Sequence, residues 1–289
     1  MKRILITGKN SYIGNAFESW VSQWPNEYQI SKISVRDDKW KSEDWSRYDV
    51  ILHVAGIAHN SSDASLEELY YSVNRDLSYK IAKKAKNEGV KQFIYLSSII
   101  VYGTKNERIT KDTSPNPDNF YGDSKLQAEQ LISKLSSDEY HIAIIRPPMV
   151  YGKNSKGNFP LLVKMARILP TFPKYENKRS MIYIKNLTEF IRIIIDRNEI
   201  GYFHPQNPEY ISTDNLVKTI SLNSRHKIIL IKGFSKIINK INKNGLFNKI
   251  FGNLYYDKEI SDFLEISYQM YDLKDSIAEI SENDVNNKS

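Results

Sequence analysis

Tyr121 and Lys125, in the stretch YGDSK, form the residue pair of this sequence best suited to acid–base chemistry. Because they stand four positions apart at the start of a predicted helix, their side chains share one helix face. A tyrosine hydroxyl normally loses its proton near pH 10, and a neighbouring ammonium group favours the phenolate, so we expect Lys125 to lower the pKa of Tyr121. Ser98, in LSSIIVYG, adds a hydroxyl that can donate to a carbonyl oxygen. The same spacing also occurs on ordinary helix surfaces, so the pair alone does not establish an active site.

A loop that could hold a phosphate, TGKNSYIG at residues 7–14, follows the apolar run RILI. A dinucleotide loop spaced G-x-x-G-x-x-G would place glycine at 8, 11 and 14, and here Ser11 takes the middle position. Gly8 would make the tight turn, and Gly14 would let the helix pack closely on the strand. Ser11 would cost about 1 kcal/mol if its φ were positive, and its hydroxyl can donate to a phosphate. An ordinary strand-to-helix turn is the alternative interpretation.

The elements that must position these residues are short apolar runs alternating with longer helical patterns. Strands are predicted at 3–6, 30–35, 50–55, 92–97 and 142–150, and helices at 12–23, 65–87 and 121–137. Nearly continuous apolar strands between helices indicate a parallel sheet that is covered on both faces. The predicted fold is therefore α/β, a doubly wound parallel (Rossmann) sheet with its ligand at the carboxyl ends of the strands.

The strand–helix alternation breaks up after residue 151, which indicates a second region. Helices are predicted there at 159–168 and 187–197, and GYFHPQ is typical of a strand. We predict a dinucleotide-binding domain at 1–150 and a smaller C-terminal substrate-binding lobe at 151–289. Residues 187–205 are expected to return to the first domain, and the polar tail at 281–289 is expected to be disordered.

The composition narrows the class of protein. The chain of 289 residues contains no cysteine, which excludes disulfides, cysteine zinc sites and thiol nucleophiles, and we predict no metal site. The apolar run near the N-terminus is too short for a signal peptide, and no stretch reaches the 18 apolar residues of a membrane span. We therefore expect a cytoplasmic enzyme or binding protein.

The net charge of +7 comes from one segment. Residues 215–256 hold eight Lys or Arg and no Asp or Glu, and without these eight the chain has 33 basic against 34 acidic residues. This localised excess does not indicate a nucleic-acid partner. Within it, 234–251 combines apolar residues at helical spacing with Lys236, Lys240 and Lys243 on another face. That pattern fits a helix on an anionic membrane surface, but we favour a core-facing helix whose lysines are solvated or attract an anionic substrate.

Taken together, the motifs resemble the extended short-chain dehydrogenase/reductase family, the NAD-dependent epimerases and dehydratases of nucleotide sugars. The resemblance covers nearly the whole chain and rests on seven features in order: TGKNSYIG at 7–14, DVILHVAG at 49–56, Asn74, S-x-x-V-Y-G at 98–103, YGDSK at 121–125, RPPMVYG at 146–152 and RSMIYIKNL at 179–187. RPPMVYG followed by GNF, and KIFGNLYYD at 249–257, are similar to bacterial capsule and O-antigen reductases. Those enzymes act on UDP-linked 4-keto-6-deoxy-N-acetylhexosamines.

The resemblance implies a role for individual residues. Tyr121 would donate the proton, and Ser98 would anchor the substrate carbonyl. Lys125 would activate Tyr121 and bind the ribose of the cofactor. Arg179 would hold the UDP diphosphate and Asn158 the uracil or diphosphate, although Arg179 also suits a surface salt bridge. His59 would line the second lobe. The implied dinucleotide site comprises Gly8, Ser11, Tyr12, Ile13, Gly14, Arg36, Ala55, Gly56, Asn74, Tyr121, Lys125 and Pro148.

Two further departures from the family pattern bear on cofactor and reaction. Arg36 stands where members that prefer NAD place an acid, which favours NADP(H), and Asp37 beside it keeps NAD(H) compatible. Met149 replaces the asparagine of R-Y-F-N-x-Y-G, which disfavours an epimerase.

The predicted function is reduction of the C4 ketone of such a UDP-sugar for capsule or O-antigen synthesis. A nucleotide-sugar 4-epimerase with tightly bound NAD and a non-catalytic dinucleotide sensor are the alternatives. The expected partners are the UDP-sugar substrate and, in a homodimer, a second copy of the chain.

Overall fold

The structure is a computed structural model, and it describes residues 1–58, 63–233, 250–262 and 267–285. The chain forms two compact units. The first comprises Met1–Lys105, Asp112–Pro147 and Leu187–Pro205, and the second comprises Asn106–Lys111, Pro148–Asn186 and Gln206–Ser289. Among the described residues, no helix combines the length and apolar character needed to cross a bilayer.

The first unit is built on a six-stranded parallel sheet. Its strands are β1 (Lys2–Thr7), β2 (Tyr28–Ile33), β3 (Val50–His53), β4 (Gln92–Leu96), β6 (His141–Ile145) and β10 (Gly201–Phe203). They lie in the order β10-β6-β4-β3-β1-β2. The order reverses between β1 and β3, and the carboxyl ends of strands at such a switch point form a crevice that binds ligands. The predicted α/β class with a parallel Rossmann-like sheet is confirmed.

Helices cover both faces of this sheet. They are α1 (Tyr12–Val21), α2 (Glu67–Tyr70), α3 (Ser78–Asn87), α4 (Phe120–Ser133) and α6 (Ile184–Arg197), and a π-helical turn at Tyr71–Leu77 joins α2 to α3. On one face, Ile81 of α3 and Ile132 of α4 belong to a buried cluster with Leu5 and Phe93 of the sheet. Elsewhere α1 meets α6, where the Trp20 indole donates to Glu189 at 2.8 Å. Burial from both sides explains why the strands are apolar throughout rather than alternating.

The second unit contains shorter elements. They are β5 (Arg108–Ile109), β7 (Met149–Tyr151), α5 (Asn158–Ile168), β8 (Thr171–Pro173), β9 (Met181–Tyr183), α7 (Thr213–Asn223), β11 (Ile229–Ile231), β12 (Tyr255–Tyr256) and α8 (Leu273–Val285). The strands pair in parallel as β7 with β9, β8 with β11, and β5 with β12. Residues 106–111 belong to this unit, although the sequence pattern had placed them in the first domain.

Three predicted elements differ from the structure. The strand predicted at 142–150 is two strands, β6 and β7, because Pro147 and Pro148 between them have no N–H to donate to a sheet. The helix predicted at 65–87 contains the π-helical turn. The tail predicted to be disordered from residue 281 continues α8 to Val285, since Ile277 and Ile280 of that helix are buried.

Candidate active site

The loop after β1 brings Gly8 against the segment that follows β3. Gly8 has φ +105°, and a Cβ there would lie 3.1 Å from the backbone nitrogen of Ala55. Both the left-handed backbone and this contact require glycine. Gly8 and Ala55, predicted from separate motifs, therefore meet at the switch point of the sheet.

Ser11 is the N-cap of α1 rather than a strained substitute for glycine. Its φ is −66°, and its hydroxyl oxygen accepts a hydrogen bond from the Gly14 backbone N–H at 3.3 Å. Because the backbone at Ser11 is not left-handed, serine does not carry the cost of about 1 kcal/mol expected for a positive φ. A serine at this position instead satisfies one of the free N–H groups of the helix end.

The first turn of α1 has the properties of an anion site. Among the described residues, no hydrogen bond uses the backbone N–H groups of Tyr12 and Ile13. Such groups at a helix N-terminus, together with the helix dipole, bind phosphates. The buried Tyr12 hydroxyl also has no hydrogen-bond partner in this part of the structure. Unused donors beside a glycine turn fit the pyrophosphate of a dinucleotide.

Gly14 permits the close packing that its position predicts. A Cβ at Gly14 would lie 2.9 Å from the Ile6 side chain and 3.2 Å from that of Val54. Any larger residue would push α1 away from β1 and from the segment after β3. Because Gly14 has no side chain, the start of α1 can lie close to the sheet.

A second cluster joins Gly56, Asn74 and Lys125. A Cβ at Gly56 would lie 3.0 Å from the Asn74 amide oxygen and 3.2 Å from Lys125 Nζ. Asn74 is fully buried in the π-helical turn. Its amide oxygen accepts from the Ile57 N–H at 2.8 Å, and its Nδ2 donates to the Ile57 carbonyl at 3.0 Å. Single π turns are frequent at functional sites, and this one places a fully bonded asparagine beside the lysine.

Tyr121 lies in the first turn of α4, which Asn119 caps by accepting from the Gly122 N–H at 3.0 Å. Burial raises the pKa of Tyr121 to about 12, and a hydrogen bond with the Ser98 side chain opposes part of that shift. The expectation that Lys125 lowers this pKa is wrong for this structure. The phenol is therefore neutral and protonated near pH 7.

The Lys125 ammonium group contacts the end of β4 and not the Tyr121 hydroxyl. Its Nζ donates to the Leu96 carbonyl at 2.9 Å and lies 4.7 Å from the centre of the Tyr95 ring. Burial lowers the pKa of Lys125 to about 8, and the negative charge of Glu129 opposes that shift. A lysine whose pKa lies close to neutrality can hold or release its proton under ordinary conditions.

Tyr95 and Glu129 were not identified from the sequence, yet both act on Lys125. Tyr95 also donates to the Asn74 carbonyl at 3.2 Å, so it contacts both partners of Gly56. Glu129, one turn beyond Lys125, forms a buried ion pair with Arg146 at 2.6 Å. Helical spacing alone could have suggested Glu129, since it continues the face of Tyr121 and Lys125. Nothing distinguished Tyr95 within a strand that is buried throughout.

The remaining predicted cofactor residues are less closely tied to this cluster. Arg36 is exposed, three residues beyond β2. The carboxylate of Asp37 caps a short 3₁₀ helix by accepting from the Lys39 N–H at 3.2 Å. Pro148 begins a segment of the second unit.

The second unit brings the two predicted substrate residues to one cavity. Asn158, at the start of α5, and Arg179 line it together with Met149, the residue that departs from the family pattern. Its volume is about 10 Å³, the size of about one water molecule. The Arg179 guanidinium donates to the Gly252 carbonyl at 2.8 Å, and burial lowers its pKa to about 10. His59 lies outside the described residues, and within them no cluster of His, Asp or Glu could hold a metal ion.

Residues 4–202 match the family described as the NAD dependent epimerase/dehydratase family, and the chain belongs to it. The family inferred from the motifs is thereby confirmed. A UDP-glucose 4-epimerase of Vibrio cholerae is 33% identical over 184 residues, which cover 60% of this chain and 56% of that protein. A second relative, the N-acetyl-alpha-D-glucosaminyl-diphospho-ditrans,octacis-undecaprenol 4-epimerase of Escherichia coli O157:H7, is 30% identical over 180 residues, 60% of this chain and 54% of that protein. The chain thus matches little more than half the length of each.

Solved structures share the fold. A dTDP-4-dehydrorhamnose reductase of Bacillus anthracis in complex with NADP superposes with a TM-score of 0.70 at 21% identity. The match covers 99% of this chain and 100% of that one. At this identity the likeness concerns the fold alone.

Proposed function

We propose that the protein is an NAD(P)-dependent reductase of the C4 ketone of a UDP-linked 4-keto-6-deoxy-N-acetylhexosamine, which supplies a sugar donor for capsule or O-antigen. The observation that carries this proposal is the neutral Tyr121 phenol, hydrogen-bonded to Ser98, with Lys125 one helical turn away. This arrangement suits protonation of an oxygen on which negative charge develops.

The residues around the switch point fit a dinucleotide. The Tyr12 and Ile13 N–H groups would hold its pyrophosphate, Gly8 and Ala55 would let the backbone approach it, and Lys125 would contact its ribose. When bound in reduced form, the nicotinamide would supply the hydride. Arg36 would favour the 2′-phosphate of NADP, and the exposed position of its side chain leaves it accessible to such a group.

The chain's own residues would handle the proton. The Ser98 and Tyr121 hydroxyls would donate hydrogen bonds to the C4 carbonyl oxygen and hold it in place. As that oxygen becomes an alkoxide, Tyr121 would give up its proton to it. Asn158 and Arg179 are proposed to contact the nucleotide part of the substrate, where the arginine charge suits a diphosphate.

The direction of proton transfer supports a reductase. An enzyme that begins by oxidising a sugar hydroxyl needs a phenolate as base, and the burial that raises the Tyr121 pKa disfavours that form. Met149, where many epimerases and dehydratases of the family have asparagine, is consistent with the same choice.

A 4-epimerase is the second candidate, because both relatives described above bear that name. Such an enzyme would use the same three residues, with Tyr121 first accepting and then returning a proton. Its substrate would be a nucleotide sugar or, by likeness to the second relative, an undecaprenol-diphosphate-linked N-acetylglucosamine.

The decisive experiment compares substrates and cofactors on one preparation. Purified protein is incubated with UDP-4-keto-6-deoxy-N-acetylglucosamine and either NADPH or NADH; cofactor oxidation is followed by absorbance, and the product is identified by NMR. We expect stoichiometric oxidation and a single C4 alcohol. If UDP-glucose, UDP-N-acetylglucosamine or the lipid-linked sugar is instead converted to its C4 epimer without added cofactor, the protein is the epimerase. Dinucleotide binding without either reaction would indicate the sensor.

A further inference from the structure

The second unit exposes aliphatic side chains next to lysines on three neighbouring elements. Ile168, Leu222, Ile229 and Ile231 are 62%, 65%, 59% and 38% exposed. Large aliphatic groups at such exposure are common singly, but a group of them marks an interaction site.

Each exposed aliphatic residue shares an element face with a lysine. In α5, Lys164 precedes Ile168 by one helical turn, and in α7, Lys218 precedes Leu222 in the same way; both lysines are exposed. In the segment that leads into β11, Lys227, Ile229 and Ile231 are exposed while Ile228 is buried and Leu230 half-buried. Spacings of four on a helix and two along a strand place these groups on common faces.

The three elements meet at one end of the unit. Arg167 Nε of α5 donates to the Ser224 hydroxyl just after α7 at 3.3 Å. His226 Nε2 lies 2.9 Å from the Leu169 carbonyl, and the Ile229 N–H donates to the Pro170 carbonyl at 3.0 Å. The carboxyl ends of α5 and α7 and the start of β11 are therefore contiguous. We name Lys164, Ile168, Lys218, Leu222, Lys227, Ile229 and Ile231 the basic aliphatic surface.

Basic residues dominate the charge of this region. Residues 158–175 contain three Lys or Arg and no acid, and residues 215–233 contain four and no acid. Of these seven basic residues, Lys174 pairs with Glu176 at 3.1 Å. A polyanion would neutralise the lysines, but only an apolar phase would also bury the exposed isoleucines and leucine. Nucleic acid offers negative charge but no apolar phase, whereas an anionic bilayer offers both. At a bilayer, apolar side chains enter the boundary between headgroups and acyl chains while lysines contact the lipid phosphates.

We propose that the basic aliphatic surface binds the surface of an anionic lipid bilayer, so that the enzyme is a peripheral membrane protein. The inference is independent of the proposed reaction, because it rests on exposure and charge in the second unit alone. It concerns different residues from the segment at 234–251, most of which lies outside the described part of the chain.

The test is co-sedimentation of the full chain with vesicles of phosphatidylcholine alone and with vesicles in which about a third of the lipid is phosphatidylglycerol. We expect binding to the anionic vesicles only, with most of it lost near 1 M salt, where the Debye length is about 3 Å. Protein that remains in the supernatant with both vesicle types would overturn the proposal.

Two double variants probe the two components of the surface. Lys164→Gln with Lys227→Gln should weaken partitioning by about thirtyfold, from about 1 kcal/mol per lysine near an anionic surface. Ile168→Ser with Ile229→Ser should weaken it by about tenfold or more. All four side chains are exposed, so we expect unchanged melting temperatures.

Matched controls come from the first unit. Ile200 is 51% exposed and Lys91 is exposed, and Ile200→Ser with Lys91→Gln should bind vesicles as the unmodified protein does. The proposal is wrong if the control loses as much binding as the surface variants, or if the surface variants lose none. It is also wrong if sedimentation velocity shows a dimer that Ile168→Ser with Ile229→Ser dissociates while vesicle binding is absent, since a second copy would then cover the surface.

Discussion

The starts of α1 and α4, both in the first unit, are two capped helix ends used in different ways. Ser11 and Asn119 cap them by accepting from the N–H groups of Gly14 and Gly122. At α1 the first turn offers backbone donors, and the neighbouring Gly8 and Gly14 allow close packing against Ala55 and Ile6. At α4 the first two turns carry the titratable groups Tyr121 and Lys125. One end should therefore depend on shape and the other on side-chain chemistry.

The largest effect should come from removing the chemistry at α4. Tyr121→Phe keeps the ring but deletes the proton donor, so we expect turnover to fall by about a hundredfold or more while dinucleotide affinity stays the same. Steady-state kinetics and isothermal titration calorimetry measure the two quantities. Near-normal turnover would refute the assignment of Tyr121 as acid.

Adding a side chain in the glycine turn before α1 should weaken dinucleotide binding. Gly8→Ala combines a left-handed backbone with a Cβ 3.1 Å from the Ala55 nitrogen, and we expect dinucleotide affinity to fall by about tenfold or more. Gly89→Ala is the matched control, because Gly89 has φ +78° but no atom within 4 Å of an added Cβ. Both variants should lose stability, and the control should bind the dinucleotide normally. Equal loss of affinity in both would remove the Gly8 turn from the cofactor site.

The protonation states at α4 predict a pH profile. Burial lowers the pKa of Lys125 to about 8 and raises that of Tyr121 to about 12. If reduction needs the ammonium, kcat/KM should decline as pH rises past about 8, while the phenol is still protonated. The residual activity of Lys125→Met should lack this decline. A decline that persists in the variant would assign it to another group.

Cofactor preference should respond to a residue outside both helix ends. Arg36→Asp replaces a cation that suits the NADP phosphate with an acid that suits the NAD ribose, and we expect the ratio of NADPH to NADH efficiency to drop by about tenfold. Asp37→Asn tests the neighbouring carboxylate, which accepts from the Lys39 N–H; if Asp37 is only a helix cap, the ratio should stay unchanged. No change in the ratio for Arg36→Asp would make Arg36 an ordinary surface residue.

The smallest effect is expected at Ser11. Because its φ is already ordinary and glycine is also a tolerated N-cap, Ser11→Gly should change stability by a few tenths of a kcal/mol. Dinucleotide affinity should stay within about twofold. A large loss of affinity would show that the Ser11 hydroxyl is itself a phosphate ligand.

Most of the fold could be predicted from local pattern. The strands β1, β3, β4 and β6 and the helices α1 and α4 lie within a few residues of their predicted positions, because buried parallel strands and capped helices have strong local signals. The break between β6 and β7 was missed although Pro147 and Pro148 signal it. The sequence pattern did not predict the π-helical turn around Asn74, whose side chain bonds to Ile57 and Ser124 in other segments.

By itself, the sequence determined the parallel α/β sheet, the place of the glycine loop after β1, and the four-residue spacing of Tyr121 and Lys125, because these depend on the nearest neighbours along the chain. Only the tertiary structure decided that burial raises the pKa of Tyr121, and that Lys125 contacts Tyr95 and Leu96 instead. It alone placed Met149, Asn158 and Arg179 around one cavity. A pKa depends on burial and on charges contributed by distant segments, and no spacing within one motif contains that information.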